Sequence, residues 1–129
     1  MKLLLDTHAL LWWWTDDAML PTRARAAIAN ERNEVLVSAA SAWEIATKFR
    51  LGKLPEAAQA VTQFNALVAA DGFTHLSIAA AHAIRAATFE AEHKDPFDRV
   101  LAAQAQLEGA VLVTCDEKMN LFSVKQMWG

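Results

Sequence analysis

Lys2-Leu3-Leu4-Leu5-Asp6-Thr7-His8-Ala9-Leu10-Leu11-Trp12 is the stretch on which the fold class turns. Lys2–Leu5 is short and almost wholly apolar, the pattern of a strand buried in a sheet, and it stops on an acid. Thr7–Trp14 then reads as a helix, and Asp16, Asp17 and Pro21 mark a loop. Outward from there the alternation repeats. Thr22 is placed to cap a helix through residue 30, and Glu34–Ser38 (Glu-Val-Leu-Val-Ser) reads as a second strand. Residues 41–51 form a helix that Gly52 is placed to end. Pro55 opens a helix over 56–70, stopped by Asp71-Gly72. A short third strand is expected over 73–76, then a helix over 78–89 capped by Ser77, then a loop at His93-Lys94-Asp95-Pro96. Residues 97–108 read as a helix ending at Gly109, 110–114 as a fourth strand, and 122–125 as a short last one. Short apolar strands alternating with helices predict a three-layer α/β/α domain. Its central sheet should be mainly parallel, with four to five short strands. No repeat, low-complexity segment or linker divides the chain, so a single domain over 1–129 is expected.

Hydrophobic residues make up 54% of the 129 residues and charged ones 21%, enough for a core and the wrong balance for disorder. The longest strongly apolar run, 9–14, falls far short of the roughly 20 residues a membrane-spanning helix needs. Lys2 and the leucines resemble the start of a secretory leader, but Asp6 and His8 interrupt it. Cys115 alone can make neither an internal disulfide nor a zinc site, which fits a reducing cytosol, and it is expected to be a small buried hydrophobe. The expectation is therefore a cytoplasmic protein with no membrane partner. A net charge of −3 has the wrong sign for binding nucleic acid. Four carboxylates gathered in one pocket would carry −4 of it and leave the remainder at +1. Such a pocket repels phosphate unless a divalent cation inverts its field.

Four acids stand where convergence is expected. In open α/β sheets ligands bind beyond the carboxyl ends of the strands. Asp6 follows the first strand directly and Asp116 follows Val111–Val113 closely. Glu44 and Asp98 fall in the first turns of helices flanking the second and fourth strands. Each also has a local explanation. Ser41-Ala42-Trp43-Glu44 fits a capping box. Asp95-Pro96-Phe97-Asp98 fits a cap, a proline at the first helical position and an acid favoured by the helix dipole. Asp116 can cap a turn before Glu117-Lys118, and Asp6 can cap the helix beginning at Thr7. For Glu44, Asp98 or Asp116 singly the local explanation is the better one. It predicts no convergence, however, and four acids at matching positions ask for one.

These blocks resemble a known family. Leu5-Asp6-Thr7-His8-Ala9-Leu10-Leu11-Trp12, Ser41-Ala42-Trp43-Glu44-Ile45 and Gly52-Lys53-Leu54 are similar to the PIN domain of VapC toxins, the nuclease halves of VapBC toxin–antitoxin pairs. So are Asp95-Pro96-Phe97-Asp98-Arg99, Leu101-Ala102-Ala103-Gln104-Ala105 and Leu112-Val113-Thr114-Cys115-Asp116, in the same order and over nearly the whole chain. The resemblance implies an endoribonuclease that hydrolyses RNA phosphodiester bonds with Mg²⁺, for which Mn²⁺ is a plausible substitute. Asp6 and Asp98 would be direct metal ligands, and Asp116 and Glu44 would complete the site. Thr7 and Thr114 would hydrogen-bond the carboxylates. No acid of the family's pattern is missing. The resemblance further implies a homodimer held inactive by a VapB-type antitoxin.

The chemistry suits this residue set. Mg²⁺ takes oxygen ligands and keeps several waters, while the lack of a Cys/His set argues against zinc. Asp95 lies three residues from Asp98 and can reach the same edge, but preceding Pro96 it suits the cap. Arg99 can contact a phosphate or pair with an acid. Lys48, Arg50 and Lys53 form a basic cluster that can touch an RNA backbone or simply be a solvated helix face. His8, His75, His82 and His93 are scattered, and no catalytic role is assigned to them. Trp12, Trp13 and Trp14 sweep about 200° of a helix surface, so at least one should lie at the surface or an interface. Two other readings compete: a receiver-like phosphoacceptor, which lacks an aspartate after Val37-Ser38, and a non-catalytic interaction domain using all four acids as caps.

Overall fold

The strand register carries the architecture. In the computed structural model, which describes residues 1–129, β1 (Lys2–Leu5) pairs in parallel with β2 (Glu34–Ser38) on one side and β4 (Val111–Val113) on the other. β3 (Thr74–Leu76) extends the sheet beyond β2, and β5 (Gln126–Met127) extends it beyond β4, all parallel, in the order β3-β2-β1-β4-β5. Side chains alternate along a strand. Leu3, Leu5, Val35, Val37 and Val113 therefore enter one core, while Leu4, Leu36 and Leu112 enter the other. A sheet buried on both faces needs apolar residues at every position, which is why these strands carry no polar alternation.

The first core is covered by α1 (Thr7–Trp14), α2 (Thr22–Ala29), α3 (Ala39–Arg50), α4 (Ala58–Thr62) and α5 (Phe64–Ala70), through residues such as Leu10, Ile28, Ile45, Ala60 and Val68. The second is covered by α7 (Pro96–Glu108), through Leu101, Ala102 and Ala105, with α6 (Ala80–Thr88) packed on it. The result is the expected three-layer α/β/α arrangement. No helix is long and apolar enough to cross a membrane. Three helix ends use glycine in the left-handed region: Gly52 (φ +76°) after α3, Gly72 (φ +68°) after α5 and Gly109 (φ +65°) after α7.

Several boundaries differ from the sequence reading. α3 begins at Ala39, capped by Ser38, so Ser41 and Glu44 lie inside the helix and the Ser41–Glu44 capping box does not form. Thr22 is the first residue of α2, whose cap position is Pro21 and has no side-chain cap. The helix expected over 56–70 is a 3-10 turn (Pro55–Ala57), then α4, then a break at Gln63 and α5. The helix expected over 78–89 starts later, at Ala80, with Ser77 outside it. There the His82 Nδ1 reaches back to accept from the Ala79 amide at 2.9 Å, and no side chain caps the first-turn amides of the helix. The last strand is not 122–125. Phe122 ends a 3-10 helix (Glu117–Phe122) and is buried in the second core, and pairing waits for Gln126.

None of the three tryptophans is left exposed; each is half-buried against the domain. Trp12 packs on His8 and Trp128, Trp13 on Phe73, and Trp14 edge-on against Phe64. The Trp13 and Trp14 Nε1 groups both donate to Asp71 Oδ2, at 3.1 and 2.8 Å. The aromatic at the surface is Trp43 instead, 60% exposed and edge-on to Phe97.

Candidate active site

β2 and β4 lie on opposite sides of β1, so the chain changes direction there and leaves a crevice beyond the carboxyl ends of β1 and β4. The Asp6 amide donates to the Val113 carbonyl at 3.0 Å, which locks the two strand ends side by side. A hollow of about 200 Å³ opens at this edge, lined by Asp6, Glu44, Asp98 and Asp116, with Asp95, Lys48, Thr7, His8 and Cys115. Residues far apart in sequence thus bring four predicted acids to one place. A larger hollow, about 570 Å³, lies alongside between residues 91–94 and Arg99. It holds only Glu92 among acids, so the concentrated chemistry belongs to the smaller one.

Each acid is fixed differently. Asp6 caps α1 by accepting from the Ala9 amide at 2.8 Å. Glu44, on the buried face of α3, accepts from the Thr7 hydroxyl at 2.5 Å through Oε1 and from Lys48 Nζ through Oε2. Thr7 also lies 3.2 Å from Ser41 Oγ. Asp95 caps α7, accepting from the Phe97 and Asp98 amides at 2.9 and 3.2 Å, and still borders the hollow. Asp98, one turn in, meets His93 Nε2 at 2.7 Å through Oδ2. Asp116 accepts from the Lys118 amide at 3.0 Å, and its own amide donates to Thr114 Oγ1 at 3.1 Å.

The electrostatics are those of crowded carboxylates. Burial pushes Asp6 up from 3.8 to about 6, with the charge of Asp98 adding to it; hydrogen bonds from Thr114 and the Ala9 amide and the nearby His8 oppose the rise. Burial also raises Asp98, against the His93 hydrogen bond and with the charges of Asp95 and Glu44. Burial alone would lower Lys48, but the hydrogen bond and charge of Glu44, with Asp95 and Asp98 beyond, leave it raised. One ammonium therefore faces five carboxylates across the hollow. Oxygen donors in excess, two of them held off their ordinary ionisation, fit a divalent cation.

Three sequence expectations change here. Cys115 is exposed at the hollow rather than buried, its thiol raised by partial burial of the sulfur and by the charges of Asp6 and Asp116. Arg99 does not pair with an acid. Its guanidinium donates to the carbonyls of Ala86 (2.7 Å), Phe89 (2.6 Å), Ala91 (2.9 Å) and His93 (2.8 Å). His93, given no role from sequence, belongs to the site. Its ring nitrogen and carboxylate oxygens of Asp98 and Asp116 lie within 4.8 Å of one another, a tighter group of donor atoms than the four acids make. The available signal was its place in the His93-Lys94-Asp95-Pro96 loop, two residues before the cap of the helix that presents Asp98.

Comparison with known proteins bears on the fold and the family. The PIN domain family profile matches residues 3–125. Over 39 residues the chain is 59% identical to Ribonuclease VapC16 of Mycobacterium tuberculosis, a match covering 30% of this chain and 26% of that protein. Among solved structures it resembles VapBC2 from Rickettsia felis bound to a DNA fragment from their promoter, with a TM-score of 0.73, 16% identity and full coverage of both chains. At that identity the likeness speaks to fold. The profile spans almost every residue from β1 to the approach to β5, and this chain belongs to the PIN domain family.

Proposed function

We propose that this protein is a divalent-cation-dependent endoribonuclease of the VapC type, the toxin of a VapBC pair, working through Asp6, Glu44, Asp98 and Asp116. The observation that carries the reading is the shared hollow of about 200 Å³ to which all four contribute. Its all-oxygen acids favour Mg²⁺, with Mn²⁺ able to replace it. Bound there, the cation supplies the Lewis acidity that makes a water nucleophilic at neutral pH and offsets charge on the leaving oxygen. Asp6 and Asp98 hold it directly, and Asp116 completes the set from the β4 side. Glu44, its two oxygens fixed by Thr7 and Lys48, orients the attacking water. The Lys48 ammonium has three N–H donors, and those not directed at Glu44 are available to a substrate phosphate oxygen. Thr114 Oγ1 holds the Asp116 backbone in place, close to Asp6. The Mycobacterium match and the Rickettsia likeness support a toxin paired with a VapB-type antitoxin, the family resemblance supports a homodimer, and a lone cysteine fits the reducing cytoplasm.

The test is cleavage of end-labelled tRNA and ribosomal RNA by the purified chain. Products should appear with Mg²⁺, vanish with EDTA, and fall by about 100-fold or more in Asp6→Asn and Asp116→Asn. Cleavage indifferent to EDTA, or undiminished in Asp6→Asn, overturns the proposal.

A further inference from the structure

His93 is more deliberately held than a loop histidine needs to be. The segment between α6 and α7 has no secondary structure, so its carbonyls lack the partners a helix or ladder would provide. Arg99 supplies them. Its planar fork reaches the last turn of α6 at Ala86, then Phe89, Ala91 and the carbonyl of His93 itself, all between 2.6 and 2.9 Å. On its other side the His93 ring packs against Phe122, centroids 5.7 Å apart. The imidazole is 9% exposed and meets Asp98 Oδ2 at 2.7 Å. Arg99 follows Asp98 directly on α7, so one turn of helix carries both the carboxylate and the clasp that fixes its partner.

We propose that His93 is a positioning residue for the cation site: it holds Asp98 Oδ2, fixing the carboxylate plane so that the remaining oxygen faces the hollow. This rests on the metal-dependent reading above. A carboxylate on a short stem otherwise rotates about its last torsion, and ordering it on binding costs affinity. A hydrogen-bonded partner behind a ligand carboxylate contributes roughly 10–100-fold in metal affinity. The role needs an N–H at the position of Nε2, and the clasp needs nothing from the ring.

The test measures Mn²⁺ affinity from the free-ion electron paramagnetic resonance signal, without RNA, on the full chain. Glutamine carries an amide N–H about as far out as Nε2, whereas asparagine stops near Nδ1. His93→Asn should weaken binding by about 10–100-fold and His93→Gln should restore most of it. A merely structural histidine would give the same loss in both variants, and that absence of recovery by glutamine overturns the inference. Wild-type affinity in His93→Asn overturns it too, as does a directly coordinated imidazole ¹⁴N coupling in the wild-type Mn²⁺ spectrum, which would make His93 a ligand. Asp98→Asn separates the two readings. If it binds Mn²⁺ as tightly as wild type, the cation reading itself falls; if it loses binding while His93→Asn does not, only the role of His93 falls.

Discussion

Replacing Asp6 by asparagine should make the cation-free protein more stable at neutral pH, although it removes a side chain at the centre of the site. Asp6 is 8% exposed, and its carboxyl sits at about 6 instead of 3.8, chiefly through burial. An acid whose folded pKa exceeds its unfolded one binds its proton more tightly when folded. Its contribution to stability is complete below pH 3.8 and is lost as pH climbs through about 6. At about 1.4 kcal/mol per pH unit, the ionised group costs roughly 3 kcal/mol above that window. Asparagine keeps an oxygen for the Ala9 amide, so the α1 cap survives, and it carries no charge to desolvate. For a chain of this size, roughly 4 °C per kcal/mol gives a gain on the order of 10 °C. Differential scanning calorimetry in EDTA at pH 7.5 and at pH 4 reads it directly. The gain should be present at the higher pH and shrink toward zero at the lower. Mn²⁺ should then raise the wild-type melting temperature and leave Asp6→Asn nearly unmoved. Equal melting of the two proteins at pH 7.5, or a less stable variant, would mean that the buried Asp6 carboxylate carries no such cost.

Other perturbations have definite outcomes. Lys48→Met keeps the aliphatic stem but leaves the buried Glu44 carboxylate without its ion-pair partner, and urea denaturation should show a loss of about 2–4 kcal/mol. Arg99→Met frees four carbonyls around the 89–95 segment; about 2 kcal/mol should be lost, and amide exchange there should accelerate. Gly109→Ala meets no atom within 4 Å, so its cost is conformational, about 1 kcal/mol from the left-handed φ of +65°.

The parts of the fold that showed in the sequence are those where one local signal has one structural use. β1, β2 and β4 are apolar because both sheet faces are buried, and Asp95-Pro96 announces the start of α7 in either reading of its acids. What stayed hidden depended on distant partners. Ser38 and Ser41 both have cap chemistry, and the choice between them comes from β2 running straight into α3 after pairing with β3. That choice rotates Glu44 onto the buried face, where Thr7 waits. The tryptophan run is absorbed by Phe64, Phe73, Asp71 and Trp128, none of them predictable as neighbours from spacing. Gln63 interrupts a helical stretch that has no proline or glycine to mark it, and nothing in its surroundings explains the break. The carboxylates were legible as a set because they fall at strand ends and helix starts, places that topology gathers. His93 lies in a loop whose path Arg99 determines, and Arg99 read as a cation seeking an anion rather than as a donor to carbonyls.

In the proposed site, side chains from the ends of β1 and β4, the buried face of α3 and the start of α7 share one cation. Anomalous diffraction from crystals grown with Mn²⁺ locates that cation. A peak is expected within the hollow, bonded to oxygens of Asp6 and Asp98 with Asp116 and Glu44 around it, and absent in Asp98→Asn crystals. A peak elsewhere on the molecule, or none at millimolar Mn²⁺ with the fold intact, would contradict it.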